Sequence, residues 1–337
     1  MNILKNKKIL VTGSDGFIGS HLVEKLISLG CDVRAMTMYN SFNNWGWLDT
    51  FDNKVLKEIE VVSGDIRDKK FVENSCKGVD IIFHLASLIA IPYSYKSPYS
   101  YVSTNIEGTL NILEAALNSN IDNIVHTSTS EVYGESETIS ISENSKSIAR
   151  SPYSATKIGA DQLAYSYYSS FGLPVSTIRP FNTYGPRQSL RAIIPTIITQ
   201  LLSQKNNIKL GSICPTRDFC FIDDTVSGFL SIASKKKSIG QVINIGSGYE
   251  ISIKDLVSII GKIMKVDITI KSDKYRIRPK DGEVDRLRAN ITKAKRILNW
   301  EPDYKGKAGL KRGLLKTIEW FNETQNNKNY KTNIYNI

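Results

Sequence analysis

The sequence has no uninterrupted apolar run approaching the roughly 18 residues that cross a bilayer, so no membrane partner is expected. Cysteine is scarce. Cys31, Cys76, Cys214 and Cys220 form no Cys-x-x-Cys pair, and none has a histidine nearby in metal-ligand spacing. That argues against the common zinc patterns and predicts reduced, partly buried thiols with no metal site. Histidine is scarcer still: His21, His84 and His126 each lie inside an apolar segment, where packing is the expected role. A secretory leader is not in view either. Lys5, Lys7 and Lys8 run directly into Ile9-Leu10-Val11, too short for a leader core and with no small-residue cleavage site behind it. These features predict a cytoplasmic protein. No nucleic-acid motif accompanies the formal charge of +11, and runs such as Lys235-Lys236-Lys237 read as solvated faces. A basic balance of this kind suits an anionic small molecule such as a nucleotide diphosphate.

What is present is a strand–helix alternation over 337 residues. Short apolar runs predict strands over 8–12, 32–36, 58–63, 79–86, 123–128 and 174–179, with helices over 17–29, 101–117 and 153–171 between them. Such alternation predicts an α/β fold, a doubly wound parallel sheet with ligands at the carboxyl ends of its strands. After Arg179, loops rich in glycine and proline separate shorter elements, which predicts a smaller substrate-binding lobe. Val242–Ile245 reads as a strand returning to the large sheet. The expected division is 1–179 with about 218–245 as the dinucleotide-binding domain, and 180–217 with 246–325 as the smaller lobe. The polar residues 326–337 are expected to be a disordered tail.

Three motifs carry chemistry. The first, Gly13-Ser14-Asp15-Gly16-Phe17-Ile18-Gly19, follows the first strand and opens the first helix. Glycines there allow a tight turn and close approach to a pyrophosphate, which the helix N-terminus favours. The second, Tyr153-Ser154-Ala155-Thr156-Lys157, places Tyr153 and Lys157 one helical turn apart, with Ser151 as cap and Pro152 in the first turn. A tyrosine with an ordinary pKa of about 10 is a poor base, and a lysine on the same face is a cation that promotes its ionisation. The third is Thr129-Ser130-Glu131 at the end of the fifth strand. A glutamate there can take a proton made acidic by an adjacent ketone.

The GxxGxxG spacing resembles extended short-chain dehydrogenases, the NAD-dependent epimerase/dehydratase branch that modifies nucleotide sugars. The resemblance continues through Gly64-Asp65-Ile66-Arg67-Asp68, His84-Leu85-Ala86 and Asn105-Ile106-Glu107-Gly108-Thr109, and covers nearly the whole chain. It implies that Gly13, Asp15, Gly16, Phe17, Ile18, Gly19, Thr37, Asp65, Ile66, Leu85, Ala86, Ser87 and Asn105 line the cofactor site together with Tyr153 and Lys157, the pair that serves the hydride-transfer step. One departure concerns cofactor choice. Where a carboxylate normally ends strand two and grips the ribose 2′-hydroxyl, this chain reads Met36-Thr37-Met38-Tyr39-Asn40. No arginine pair for a 2′-phosphate replaces it, since Arg34 lies inside the strand. NAD is the expected cofactor, with NADP not excluded.

Thr129-Ser130-Glu131 resembles the triplet of GDP-mannose 4,6-dehydratases. The dTDP-glucose type carries Thr-Asp-Glu, UDP-glucuronate decarboxylases also resemble Thr-Ser-Glu, and many simple 4-epimerases have no acid. The implied substrate contacts are Ser87, Thr129, Asn182, Arg187, Arg191, Arg217 and Arg278, the arginines suiting phosphates by their planar fork. Asp223-Asp224 belongs to the fold in this family. The segments from Tyr39 to Asp49 and from Arg191 to Pro195 resemble N-acetylglucosamine 4,6-dehydratases of bacterial legionaminic acid biosynthesis, which act on a GDP-linked sugar. The resemblance thus implies a nucleotide-sugar 4,6-dehydratase that works as a homodimer through the Tyr153–Phe171 helix. The rivals are a UDP-glucuronate decarboxylase or a 4-epimerase on the same scaffold and, from another class, a non-catalytic dinucleotide-binding regulator.

Overall fold

In the computed structural model, residues 2–135, 138–203, 206–277, 279, 282–327 and 330 are described. Seven strands form one parallel sheet: β1 (Lys8–Thr12), β2 (Asp32–Met38), β3 (Ile59–Gly64), β4 (Ile81–His84), β5 (Asn123–Thr127), β6 (Val175–Pro180) and, from much later in the chain, Val242–Ile245. Their order, Val242–Ile245, β6, β5, β4, β1, β2, β3, reverses direction between β1 and β4. A crevice opens at such a reversal, outside the carboxyl ends of the strands. The expected fold class is the one observed. Central strands are buried on both faces, as Ile9, Leu10, Val11, Ile82, Phe83, Ile124 and Val125 show. That requirement explains the near-continuous apolar runs in the sequence.

Helices cover both faces. Phe17–Ser28 and Ile222–Ala233 contribute to the core on one side; Lys69–Cys76, Gly108–Leu117 and Pro152–Phe171 contribute on the other. The Pro152–Phe171 helix starts with the predicted chemistry: Ser151 and Ser154 form a reciprocal capping box, Pro152 occupies the first turn, and Gly172 ends the helix at φ +69°. The helix expected over 101–117 is not regular. Val102–Glu107 is π-helical, and the α-helix resumes at Gly108. The widened turn carries Asn105, whose amide bonds the backbone of Leu88 in both directions and the Thr156 hydroxyl.

The smaller lobe is built on β9 (Thr216–Phe221), which pairs in parallel with β7 (Asn182–Tyr184) and β13 (Arg286–Leu287) and antiparallel with β11 (Glu250–Ser252). A separate parallel pair joins β8 (Asn207–Leu210) to β12 (Thr269–Ser272), and Val242–Ile245 is β10. β9 therefore runs through the expected boundary at 217/218 without a break. Its buried Asp218 accepts from the Ser247 and Gly248 amides, the Ser247 hydroxyl and the Ala289 amide, pinning the lobe together. Burial lifts this carboxyl to about 6 despite those donors.

The expected tail departs from disorder where it is described: Asn326 and Asn327 close the short helix Thr324–Asn327, and Tyr330 docks. Tyr330 is half-buried: its ring packs on Trp47, Trp320 and Phe321, and its hydroxyl donates to the Gln188 carbonyl. A single large ring within a polar run gains enough apolar contact to dock. Residues 331–337 lie outside the described residues.

Candidate active site

A cleft of about 1150 Å³ runs along the carboxyl ends of β1, β2, β4, β5 and β6 and is closed on its far side by the smaller lobe. This volume stands at the upper end of the roughly 300–1000 Å³ of small-molecule pockets. A second hollow of about 960 Å³ lies wholly in the smaller lobe, around Glu250, Lys262 and Arg286; it contains none of the motif residues.

The glycine motif forms one end of the cleft. Gly13 adopts φ +67°, and a Cβ there would sit 2.9 Å from the Ala86 amide nitrogen. A Cβ on Gly19 would meet the Gly13 carbonyl at 2.1 Å, so this glycine sets how closely helix and strand approach. Gly16 precedes a helix that no side chain caps. Its first N–H groups and dipole face the cleft, leaving a cradle that fits a dinucleotide pyrophosphate. Thr12 binds the β4 exit to this loop: its hydroxyl accepts from the Leu85 and Ala86 amides and contacts His84 Nδ1. His84 is thus a buried packing residue, bonded on its other face to Thr109.

The walls place most of the expected cofactor residues together. Asp15, Phe17, Ile18, Thr37, Asp65, Ile66, Leu85, Ala86 and Ser87 all line the cleft. Two are engaged by neighbours. The Thr37 hydroxyl pairs with the Ser63 hydroxyl at 2.8 Å, and Asp65 is bound by the Arg67 guanidinium, which lowers its carboxyl below the ordinary value. Asn105 lies behind the wall; its hydrogen bonds hold the Leu88 loop. Trp47, on the loop after β2, joins the wall with Tyr330.

The middle of the cleft holds Thr129, Ser130, Glu131, Tyr153 and Lys157. Thr129 caps the turn after β5 by accepting from the Glu131 amide, and its side chain also hydrogen-bonds Tyr153. Burial raises Tyr153 above its ordinary value; the Thr129 bond opposes this, and the charge of nearby Glu131 adds to it. Lys157 donates to the Thr127 carbonyl at 2.6 Å, and burial lowers it to about 8. The expected lowering of Tyr153 by Lys157 is therefore not realised in the chain alone. One turn further on, Asp161 accepts from Ser128 and Arg179 and pairs with His126. This network ties the ends of β5 and β6 to the helix that carries Tyr153.

The Lys157 shift has a testable sign. Below about 8 the lysine is charged in folded and unfolded chains alike, and the fold bears the full cost of burying it. Between about 8 and the ordinary 10.5 only the unfolded chain keeps the proton, so that cost fades as pH rises. Lys157→Met should therefore raise the stability of the ligand-free chain by roughly 1 kcal/mol at pH 7. The gain should shrink toward pH 10, as urea unfolding at both pH values would show. A gain independent of pH would mean that packing, not charge, is responsible.

The far wall carries the expected polar contacts in different states. Asn182 lines the cleft beside exposed Arg191. Arg187, at φ +66°, lines it too, but its guanidinium pairs with Glu24 at 3.0 Å and stacks on Phe51. Arg217 is buried and paired with Glu283 at 2.9 Å. Arg278 lies outside the described residues. Sequence reading missed Arg276, which lines the cleft while paired with Asp273. The signal was at hand, since Arg276 opens the Arg-Ile-Arg-Pro run from which only the second arginine was taken.

Comparison with known proteins fits this geometry. Residues 10–313 match the family model described as GDP-mannose 4,6 dehydratase. The chain is 33% identical to the low-salt glycan biosynthesis protein Agl12 of Haloferax volcanii, over 90% of this chain and 96% of that one. It is also 33% identical to a putative UDP-glucose 4-epimerase of Methanocaldococcus jannaschii, over 93% and 97%. Among solved structures, the dTDP-glucose 4,6-dehydratase DesIV of Streptomyces venezuelae, with NAD bound, superposes with a TM-score of 0.84 at 29% identity, covering 94% of this chain and 98% of that one. With a glycine-cradled cleft, a Tyr–Lys helix and this match over most of its length, the chain belongs to the GDP-mannose 4,6 dehydratase family of nucleotide-sugar dehydratases and epimerases.

Proposed function

We propose that the chain is an NAD-dependent nucleotide-sugar 4,6-dehydratase that turns an NDP-hexose into its 4-keto-6-deoxy product. The observation that carries this reading is Glu131. It sits on the turn after β5, in the same cleft as Tyr153 and close enough for its charge to act on that hydroxyl. Oxidation and reduction at C4 need no second acid–base group beside the tyrosine; elimination of water does.

Gly13, Gly16 and Gly19 would hold NAD, which would supply the hydride acceptor for C4 and the hydride donor for C6. Tyr153 takes the proton of the C4 hydroxyl, and Thr129 steadies the oxygen by hydrogen bonding. Lys157, held at the Thr127 carbonyl, places a positive charge under the tyrosine helix. The C4 ketone acidifies C5–H, and Glu131 removes that proton. As the C6–O bond breaks, Glu131 gives the proton to the departing hydroxyl, so water leaves and a C5–C6 double bond forms. With hydride delivered to C6, Glu131 relays to C5 a proton drawn from solvent, which balances the proton that Tyr153 took from the C4 hydroxyl and releases. Asn182, Arg191, Arg217 and Arg278 are assigned to the nucleotide diphosphate, with Arg187 nearer the lobe junction. GDP-N-acetylglucosamine is the proposed substrate, on the resemblance of the segments from Tyr39 to Asp49 and from Arg191 to Pro195.

A 4-epimerase is the second reading, favoured by the Methanocaldococcus relative. Exposed Tyr99, Val102, Tyr165 and Phe171, on the helices around the Tyr–Lys pair, support a homodimer. Mass spectrometry of GDP-, UDP- and dTDP-sugars after incubation with NAD, with proton NMR to read the C4 configuration, tests the reading, and light scattering of the same sample tests the dimer. Loss of water from one sugar is the expected result. Loss of carbon dioxide would make the enzyme a decarboxylase, a C4-inverted product of unchanged mass would make it an epimerase, and a monomer mass would remove the dimer.

A further inference from the structure

The carboxyl end of β2 offers a dinucleotide ribose no acid of its own. Thr37 is spent on Ser63, Met38 is apolar, and the Asn40 side chain bonds the Met38 and Asn44 carbonyls and the Phe42 amide. Asp65 is occupied by Arg67, and Asp49 accepts from the Trp45 amide. Asp15, inside the glycine motif, reaches into this gap. Its Oδ2 lies 3.4 Å from the Met38 amide nitrogen, at the end of β2, and the residue lines the cleft.

The loop that follows β2 fixes Asp15 in place. The Trp47 amide donates to the Asp15 carbonyl at 3.1 Å, and Gly46 takes φ +59° where a Cβ would sit 2.6 Å from that carbonyl oxygen. Among the described residues no cation lies within ion-pair distance of the Asp15 carboxylate. Burial lifts its carboxyl above the ordinary value, opposed only by backbone amides. A carboxylate so placed gains from a ligand that donates hydrogen bonds and is penalised by a second negative charge.

We infer that Asp15, contributed by the glycine motif, takes the place of the missing β2 acid: it accepts from the ribose hydroxyls of the adenosine half of NAD and excludes the 2′-phosphate of NADP. This rests on the dinucleotide reading of the cleft, and it gives one residue of the phosphate-binding turn a second task as cofactor discriminator.

Binding isotherms of the purified chain with NAD and with NADP, measured without sugar, test it. Wild type should prefer NAD. In Asp15→Asn, which keeps shape and removes charge, NAD affinity should fall about tenfold, the scale of a hydrogen bond to a charged group. NADP affinity should hold or rise, so the preference collapses. Adding Met38→Asp, at an exposed position on the β2 end, should restore NAD preference and shows that the first variant is folded. NAD preference unchanged in Asp15→Asn would overturn this inference alone. A wild type that binds neither dinucleotide would overturn it together with the reading of the cleft.

Discussion

Glu131→Gln should lower formation of the 4-keto-6-deoxy sugar by about 10²–10⁴-fold while leaving oxidation at C4 in place. The two halves of the reaction use different groups, which makes this variant the sharpest test of the proposal. Glutamine keeps the volume and the backbone bond to Thr129 but cannot accept the C5 proton. Reduced cofactor should therefore build up in single-turnover absorbance traces, because the acceptor for its return, the C5–C6 alkene, never forms. Exchange of C5–H with deuterated water should stop as well. Water loss at the wild-type rate would place the base elsewhere in the cleft and remove the observation on which the dehydratase reading stands.

Tyr153→Phe should be as damaging and earlier in effect, with a loss of about 10²–10⁴-fold in which no reduced cofactor accumulates. The ring packs edge-on against Tyr101 at 6.2 Å, and phenylalanine preserves that contact, so folding should be spared. The wild-type pH profile should carry the same signature. The reactive form is the phenolate, and burial holds Tyr153 above its ordinary value, so the rate of C4 oxidation should climb with pH on the alkaline side of neutrality. Retained cofactor reduction in the phenylalanine variant would show that another group accepts the C4 proton.

Much of this was readable from periodicity. The six leading strands fall within a few residues of the apolar runs that predicted them, because a strand buried on both faces has to be apolar throughout. β2 runs two residues further, to Met38, since pairing with β3 continues through Gly64. Capping of the Tyr153 helix was legible because it is local chemistry between Ser151, Pro152 and Ser154. Non-local choices were not legible. β7, β11 and β13 are two or three residues long and exist through pairing with β9, which no short-range pattern announces. Arginine partners were equally hidden: that Arg187 would meet Glu24 depends on how the lobes pack, and that Arg217 would meet Glu283 depends on pairing between segments far apart in sequence. Asn105 was expected at the cofactor from the resemblance alone; it lies on the π-helical turn Val102–Glu107, and its amide bonds the Leu88 backbone behind the cleft wall, a placement no local pattern announces.

The cluster of Trp47, Trp320 and Tyr330 links the second crossover of the large sheet to residues more than two hundred positions later in the chain. Ribosomes release a chain in order, N-terminus first. The glycine motif and most of the sheet emerge early, yet the wall beside them waits for residue 330. During synthesis the wall beside the glycine motif is therefore completed only once residue 330 has emerged.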